Sequence, residues 1–264
     1  MYSWKKKLFL ICVCLLALAG QVSAEVWEEL KGEHFLAYYQ RNKGFAKEVL
    51  EKAEEYYKQI ALDLGYARSH NFWSWDSRVK IYLFPDNKSY LTYIKSLGYP
   101  EWAVGMADYS HKEIISFNLS NGFLDTVLPH EITHLMFRDY VGGNNIPLWI
   151  DEGVAQWSEK GRRAQVRQEI KKQLAHHSPI PMDRMMSLNI GQVDNDFIVE
   201  LYYVQAVSMI DFLISRFGAD KFIYLCRQLR DGKEFEEALR FAYPNNLRDP
   251  DDLQLQWTDY LGIN

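Results

Sequence analysis

The sequence predicts an α+β fold, on three observations. Short alternating apolar stretches lie before residue 120, three-and-four spacing dominates after it, and the two regimes meet at one helical segment around residue 130. With 48% apolar and 25% charged residues in 264, the chain can build a large core and is not disordered by composition. No internal repeat or low-complexity tract is present. One domain is the default at this length, and a cleft is expected where the two halves join.

The elements follow in order. Residues 1–24 read as a secretory signal peptide: Lys5, Lys6 and Lys7 precede a 13-residue uncharged run from Leu8 to Gly20, and Val22-Ser23-Ala24 offers small residues at a cleavage point. The rival is an uncleaved anchor, but the run is short of the roughly 20 residues a spanning helix needs. Cys12 and Cys14 lie inside this run, too early for a lipobox. The chain is therefore expected to be secreted or periplasmic. His34 to Gln40 reads as a strand. Phe45, Val49, Ala53, Tyr56, Tyr57, Ile60 and Leu64 mark an amphipathic helix stopped by Gly65. Arg78 to Phe84 alternates as a strand, Asn87 to Leu97 is helical, and Gly105 to Phe117 reads as a hairpin. Phe123 to Tyr140 has helical spacing and stops at Gly142-Gly143, and Pro147 to Glu159 forms the next helix. Helices are then expected near 161–177, 196–217, 219–230, 233–242 and 250–261, with Asp249 to Asp252 as a cap. Residues 25–140 would form an α+β lobe and 141–264 a helical lobe of one domain.

Charge and cysteine content exclude several classes. Without the three leader lysines the chain has 27 basic and 35 acidic residues, a net charge of −8, so nucleic acid is not an expected partner. Cys226 alone survives leader removal, which excludes internal disulfides and cysteine metal sites. No second long apolar segment is evident, so stable membrane insertion after cleavage is not expected. The sequence leaves the oligomeric state open.

The chemistry is carried by His130-Glu131-Ile132-Thr133-His134. Two histidines four apart on a helix lie on one face, a turn apart, and can share one Zn²⁺. Glu131 flanks that ion without binding it and can take a proton from a water there. The bare motif also arises by chance, so context decides. Ile132, Leu135 and Met136 let the helix be half buried, while Pro129 removes a backbone bond to residue 125 and predicts a kink or a late helix start. A catalytic zinc takes a third protein ligand. Glu152 is the candidate, ahead of its neighbour Asp151: it sits 18 residues after His134, on an expected antiparallel helix, among Trp149, Ile150, Val154 and Trp157. The other reading of Glu152 is an acid near a helix N-terminus, where the macrodipole favours one. His34, His70 and His111 fall in strand or loop contexts and His176-His177 at a helix end, and most of the five read as surface residues.

His130 to His134, seventeen intervening residues and Glu152-Gly153-Val154-Ala155 together resemble the gluzincin clan of metallopeptidases, most closely its peptidase MA-like group of secreted bacterial proteins. The resemblance covers roughly residues 100 to 261. It implies a zincin-like fold with the His-Glu-x-x-His helix at the cleft, one zinc held by His130, His134 and Glu152, Glu131 as base, and a peptide or protein substrate. Tyr203, in Tyr202-Tyr203-Val204-Gln205-Ala206, is similar to the clan's oxyanion-stabilising tyrosine, with Tyr202 as the alternative. Gly105 to Asp108 is similar to its substrate-binding edge strand but lacks the glutamate of the aminopeptidase branch. Gln156 stands where thermolysin-like enzymes have an aspartate that orients a metal histidine, so its amide oxygen is expected to accept an imidazole N–H there, with less charge. The expected activity is hydrolysis of peptide bonds by a zinc-dependent peptidase. The alternatives are a metal-stabilised binding protein without turnover and a metallohydrolase of non-peptide substrates.

Overall fold

The computed structural model describes residues 26–65, 73–98, 104–117, 122–142 and 146–263. The leader expected at 1–24, His70 and Gly143 lie outside the described residues. The architecture is α+β, with a small mixed sheet in the first half and helices through the second. The sheet holds β1 (Glu28–Lys31), β2 (Phe35–Tyr39), β3 (Val79–Phe84), β4 (Gly105–Asp108) and β5 (Glu113–Phe117) in the order β1-β2-β3-β5-β4. The inner strands β2, β3 and β5 run parallel, and β1 and β4 close the edges antiparallel.

Alternation along the strands decides which face is covered by what. Phe35, Ala37 and Tyr39 on β2, Val79, Ile81 and Leu83 on β3, and Ile114 on β5 are buried. Most of them pack beneath α1 (Lys43–Asp63) and α3 (Leu128–Val141). Ile115 and Phe117 point the other way and join Met106 with Tyr90 and Ile94 of α2 (Asn87–Ser96) in a smaller cluster. The helix starts carry their caps: Asn42 accepts from Phe45 N, Asp86 from Ser89 N, Asn195 from Ile198 N and Asp249 from Asp252 N. Gly142 ends α3 in the left-handed region at φ 73°, where a side chain would be strained.

The helical half comprises α4 (Leu148–Trp157), α5 (Arg162–Leu174), α6 (Met182–Ser187), α7 (Asp196–Phe217), α8 (Ala219–Arg230), α9 (Phe235–Ala242) and α10 (Pro250–Leu261). Two elements were not expected. β1 has the charged sequence EELK, whose Glu28 and Glu29 accept from the hydroxyls of Tyr39 and Tyr38 on β2, and α6 is six residues, too short to show a period. The expectation of no second long apolar segment needs correction, because α7 is long and apolar enough to cross a membrane by length and composition. It is instead a core helix packed against α4, α5, α8 and α10, and burial from several sides is what its all-round apolar character serves.

α4 and α7 pack at very short range because residue 153 is glycine. A Cβ there would lie 2.7 Å from Ile210 Cγ1 and 2.9 Å from the carbonyl oxygen of Ala206, inside contact distance of backbone that cannot swing aside. Gly153→Ala is therefore expected to destabilise the chain by about 1–3 kcal/mol, read as a lower denaturant midpoint at unchanged slope. A variant as stable as the parent would show that the interface gives.

Candidate metal centre

The segment ahead of the two histidines is shaped by Pro129. The chain enters through a π-helical turn, Phe123–Val127, and α3 begins at Leu128, as the late-start expectation required. Proline has no N–H to give to the carbonyl of Asp125, and that carbonyl accepts the Lys160 N–H at 3.0 Å instead. The turn is thereby tied to the loop after α4. Thr133 Oγ1 donates to Pro129 O at 2.7 Å and seals the helix interior.

On one face of α3 the two Nε2 atoms of His130 and His134 lie 3.1 Å apart. Glu152, from α4, brings Oε2 to 3.8 Å from each of them. The three residues thus form a group able to hold a metal ion. Behind the rings, His130 Nδ1 meets Glu159 Oε1 at 2.9 Å and His134 Nδ1 meets Asp151 Oδ1 at 3.0 Å. A carboxylate can only accept, so each Nδ1 carries a proton, and each Nε2 presents a lone pair when its ring is neutral. Two lone pairs and a carboxylate oxygen then face one point, an arrangement that repels itself until a cation enters. Two donors about 2.0–2.1 Å from one tetrahedral ion lie about 3.4 Å apart, and 3.1 and 3.8 Å straddle that spacing. The residues therefore fit a metal of zinc's preferences.

The electrostatics agree with that geometry. Burial opposes charge on His134, but Asp151, and then Glu152 and Glu131, outweigh it and raise its pKa to about 9: without metal, a proton is the cation this pocket takes. Burial likewise opposes the charge of Asp151, yet His134 and Arg138 hold its carboxyl below the usual range. Arg138 donates Nε and Nη2 to Asp151 Oδ2 at 3.1 and 2.8 Å, and its guanidinium lies 3.9 Å from the ring centre of Tyr109, just past edge strand β4. Glu131 sits beside the group with its carboxyl pKa raised, chiefly by burial and against the pull of His130 and His134, and it takes a backbone hydrogen bond from Ala107 of β4.

Tyr203 is half-buried on α7, and its hydroxyl makes no hydrogen bond among the described residues. Burial and the charge of Glu152 push its pKa up to about 12. Tyr202 beside it is fully buried. Gln156 does not orient a histidine, which corrects the expectation placed on it: its Oε1 accepts from Arg162 Nη2 at 3.1 Å. That work falls to Asp151 and Glu159, neither of which was assigned a role from the sequence. Glu159 stands seven residues after Glu152, two turns along the same side, and that period was the available signal.

A second group able to hold a metal, Glu33-His34-Glu54, lies at the start of β2. There Glu54 takes both the backbone N–H of His34 at 2.8 Å and its Nδ1 at 2.7 Å, which ties α1 to the first hairpin. His111 is exposed and paired with Asp108, and His176 and His177 are exposed near the end of α5.

Outer carboxylates on ligating histidines commonly contribute about 10–100-fold to metal affinity. Glu159→Gln keeps an acceptor for His130 Nδ1 but removes the charge, so zinc affinity is expected to fall within that range in a competition titration. An unchanged affinity would show that Glu159 is only a helix-end acid.

A mixed sheet with β4 at one edge among the described residues, a helix carrying both histidines, and a glutamate from the next helix define a gluzincin-like protein. The chain belongs to the peptidase MA superfamily, whose family model matches residues 73–262, and that membership suggests a metallopeptidase-type function. A search of curated proteins finds no match.

Proposed function

We propose that this protein is an exported zinc-dependent peptidase that hydrolyses peptide bonds by Glu131-assisted attack of water. The observation that carries the reading is the convergence of two imidazole Nε2 atoms and the Glu152 carboxylate on one point, with the Glu131 carboxyl beside it. Bound there, zinc supplies Lewis acidity to water and to the substrate carbonyl. The chain's own residues do the rest. A peptide adds to β4 as a further strand, since β4 is a sheet edge running past Glu131. Glu131 accepts the proton of the attacking water and returns it to the leaving amine, a task suited by a carboxyl whose pKa burial raises. Tyr203, whose phenol lies within the field of Glu152 and makes no hydrogen bond among the described residues, donates to the carbonyl oxygen as it gains charge.

Elemental analysis after purification without added metal, paired with a peptide-library digest, tests the reading. One zinc per chain and chelator-sensitive cleavage are expected. Zinc without cleavage would favour a binding protein, and cleavage of esters or amides in place of peptides a different hydrolase. Export rests on the basic, apolar and small-residue order of residues 1–24. Mass spectrometry of the native protein should find Glu25 as its first residue, and an intact Met1 would favour the anchor.

A further inference from the structure

Both histidines of the site have a carboxylate behind them, whereas Glu152, among the described residues, accepts no hydrogen bond. One of its oxygens faces the two Nε2 atoms, and the other is left to swing. On the helix packed closest to α4, the Tyr202 hydroxyl is buried and has no hydrogen-bond partner among the described residues. The helices that carry the two groups meet at Gly153: the residue after Glu152 rests on Ala206, one turn beyond Tyr202 on α7. Glu152 is also the carboxylate whose field acts on the Tyr202 phenol. A buried hydroxyl without a partner is uncommon because it has given up water for nothing. Here a donor without an acceptor and an acceptor without a donor stand on adjoining helices.

We propose that Tyr202 is a positioning residue for Glu152, its hydroxyl donating to the carboxylate oxygen that the metal leaves free. The inference rests on the reading of Glu152 as a ligand. With both oxygens engaged, the carboxylate has one orientation and presents its lone pair to the ion as Asp151 and Glu159 make the imidazoles present theirs. Tyr203, its neighbour on α7, would keep the separate task of contacting substrate.

The test compares Tyr202→Phe, Tyr203→Phe, Glu152→Gln and the Tyr202→Phe/Glu152→Gln double variant by Zn²⁺ competition against a chromophoric chelator and by thermal melting in excess chelator. Tyr202→Phe is expected to lower Zn²⁺ affinity about 10–100-fold. Its metal-free melting temperature should stay level or rise, because an unsatisfied buried hydroxyl is gone. Tyr203→Phe should bind Zn²⁺ as the parent does. Glu152→Gln should lose affinity, and adding Tyr202→Phe to it should cost no more than about twofold further, the signature of two residues acting as one. Parent-like affinity in Tyr202→Phe with Glu152→Gln impaired would overturn the role of Tyr202 and leave the ligand intact. Parent-like affinity in Glu152→Gln would overturn the ligand assignment and this inference with it. A fall in affinity matched by a fall in metal-free melting temperature would assign Tyr202 to packing and overturn the proposal.

Discussion

Glu131→Gln is expected to retain zinc and to lose turnover by about 10²–10⁴-fold, the usual worth of a positioned proton acceptor. The substitution keeps size and keeps an oxygen for the Ala107 N–H, so the edge strand should stay in place. It removes the only function that the neutral amide cannot perform, acceptance of a proton. Glu131 is not in the converging group, so metal content should match the parent by elemental analysis. The two measurements have to be made on one preparation. Peptide cleavage at the parent rate would end the mechanism proposed above and move any activity elsewhere in the chain.

His134→Ala is expected to lose metal and activity together. It removes one of three converging donors, and the affinity should fall by more than the ~10–100-fold that loss of an outer partner costs. The loss is specific in origin because Asp151 keeps Arg138 as its partner, so the carboxylate behind the ring is not left unpaired. A pH signature accompanies it. In metal-free parent protein the pKa of His134 is raised from 6.5 to about 9. The protonated form is thus favoured in the folded state. Its stabilising contribution is full below about 6.5 and is lost as pH rises through about 9. Metal-free parent should lose stability across that window in denaturant titrations, and His134→Ala should not show that loss. Since metal must displace this proton, loading at neutral pH should also release protons to a weakly buffered solution. Tight zinc binding by His134→Ala would remove His134 from the ligand set.

The contrast between the two substitutions follows from how the site is split between elements. Glu131 and the histidines share α3, and their mutual placement is a matter of helical period alone. Glu152, Asp151 and Glu159 come from α4 and its following turn, and their placement depends on how α4 is held. Gly153 against Ala206, Trp157 Nε1 to Asp211 at 3.2 Å, and Lys160 N to Asp125 O at 3.0 Å are three of the contacts that hold it.

Much of this was legible in the amino-acid sequence, and the part that was not has a common cause. Local periodicity predicted β2, β3, the β4–β5 hairpin, α1 to α5 and α7 to α10, because each is long enough to show its period or is bounded by glycine or proline. The four-residue spacing of His130 and His134 needs nothing beyond one helix, and the consequence of Pro129 follows from its missing N–H. β1 escaped because an edge strand can be formed by backbone pairing under a charged sequence. α7 looked unremarkable as a segment although it is largely apolar, since what surrounds it is supplied by helices distant in sequence.

What tertiary structure alone decided is which acid serves which histidine. Five carboxylates, Glu131, Asp139, Asp151, Glu152 and Glu159, fall within 29 residues, and composition does not tell them apart. The packing of α4 against α3 and α7 turns Glu152 toward the two Nε2 atoms, Asp151 and Glu159 toward the two Nδ1 atoms, and Gln156 away to Arg162. A resemblance at the level of motif had pointed to Gln156 for an orienting role. Sequence spacing specifies the face of a helix to within a turn, but a hydrogen bond is made or missed over less than an ångström, and only the rotation and approach of one helix against another set that distance.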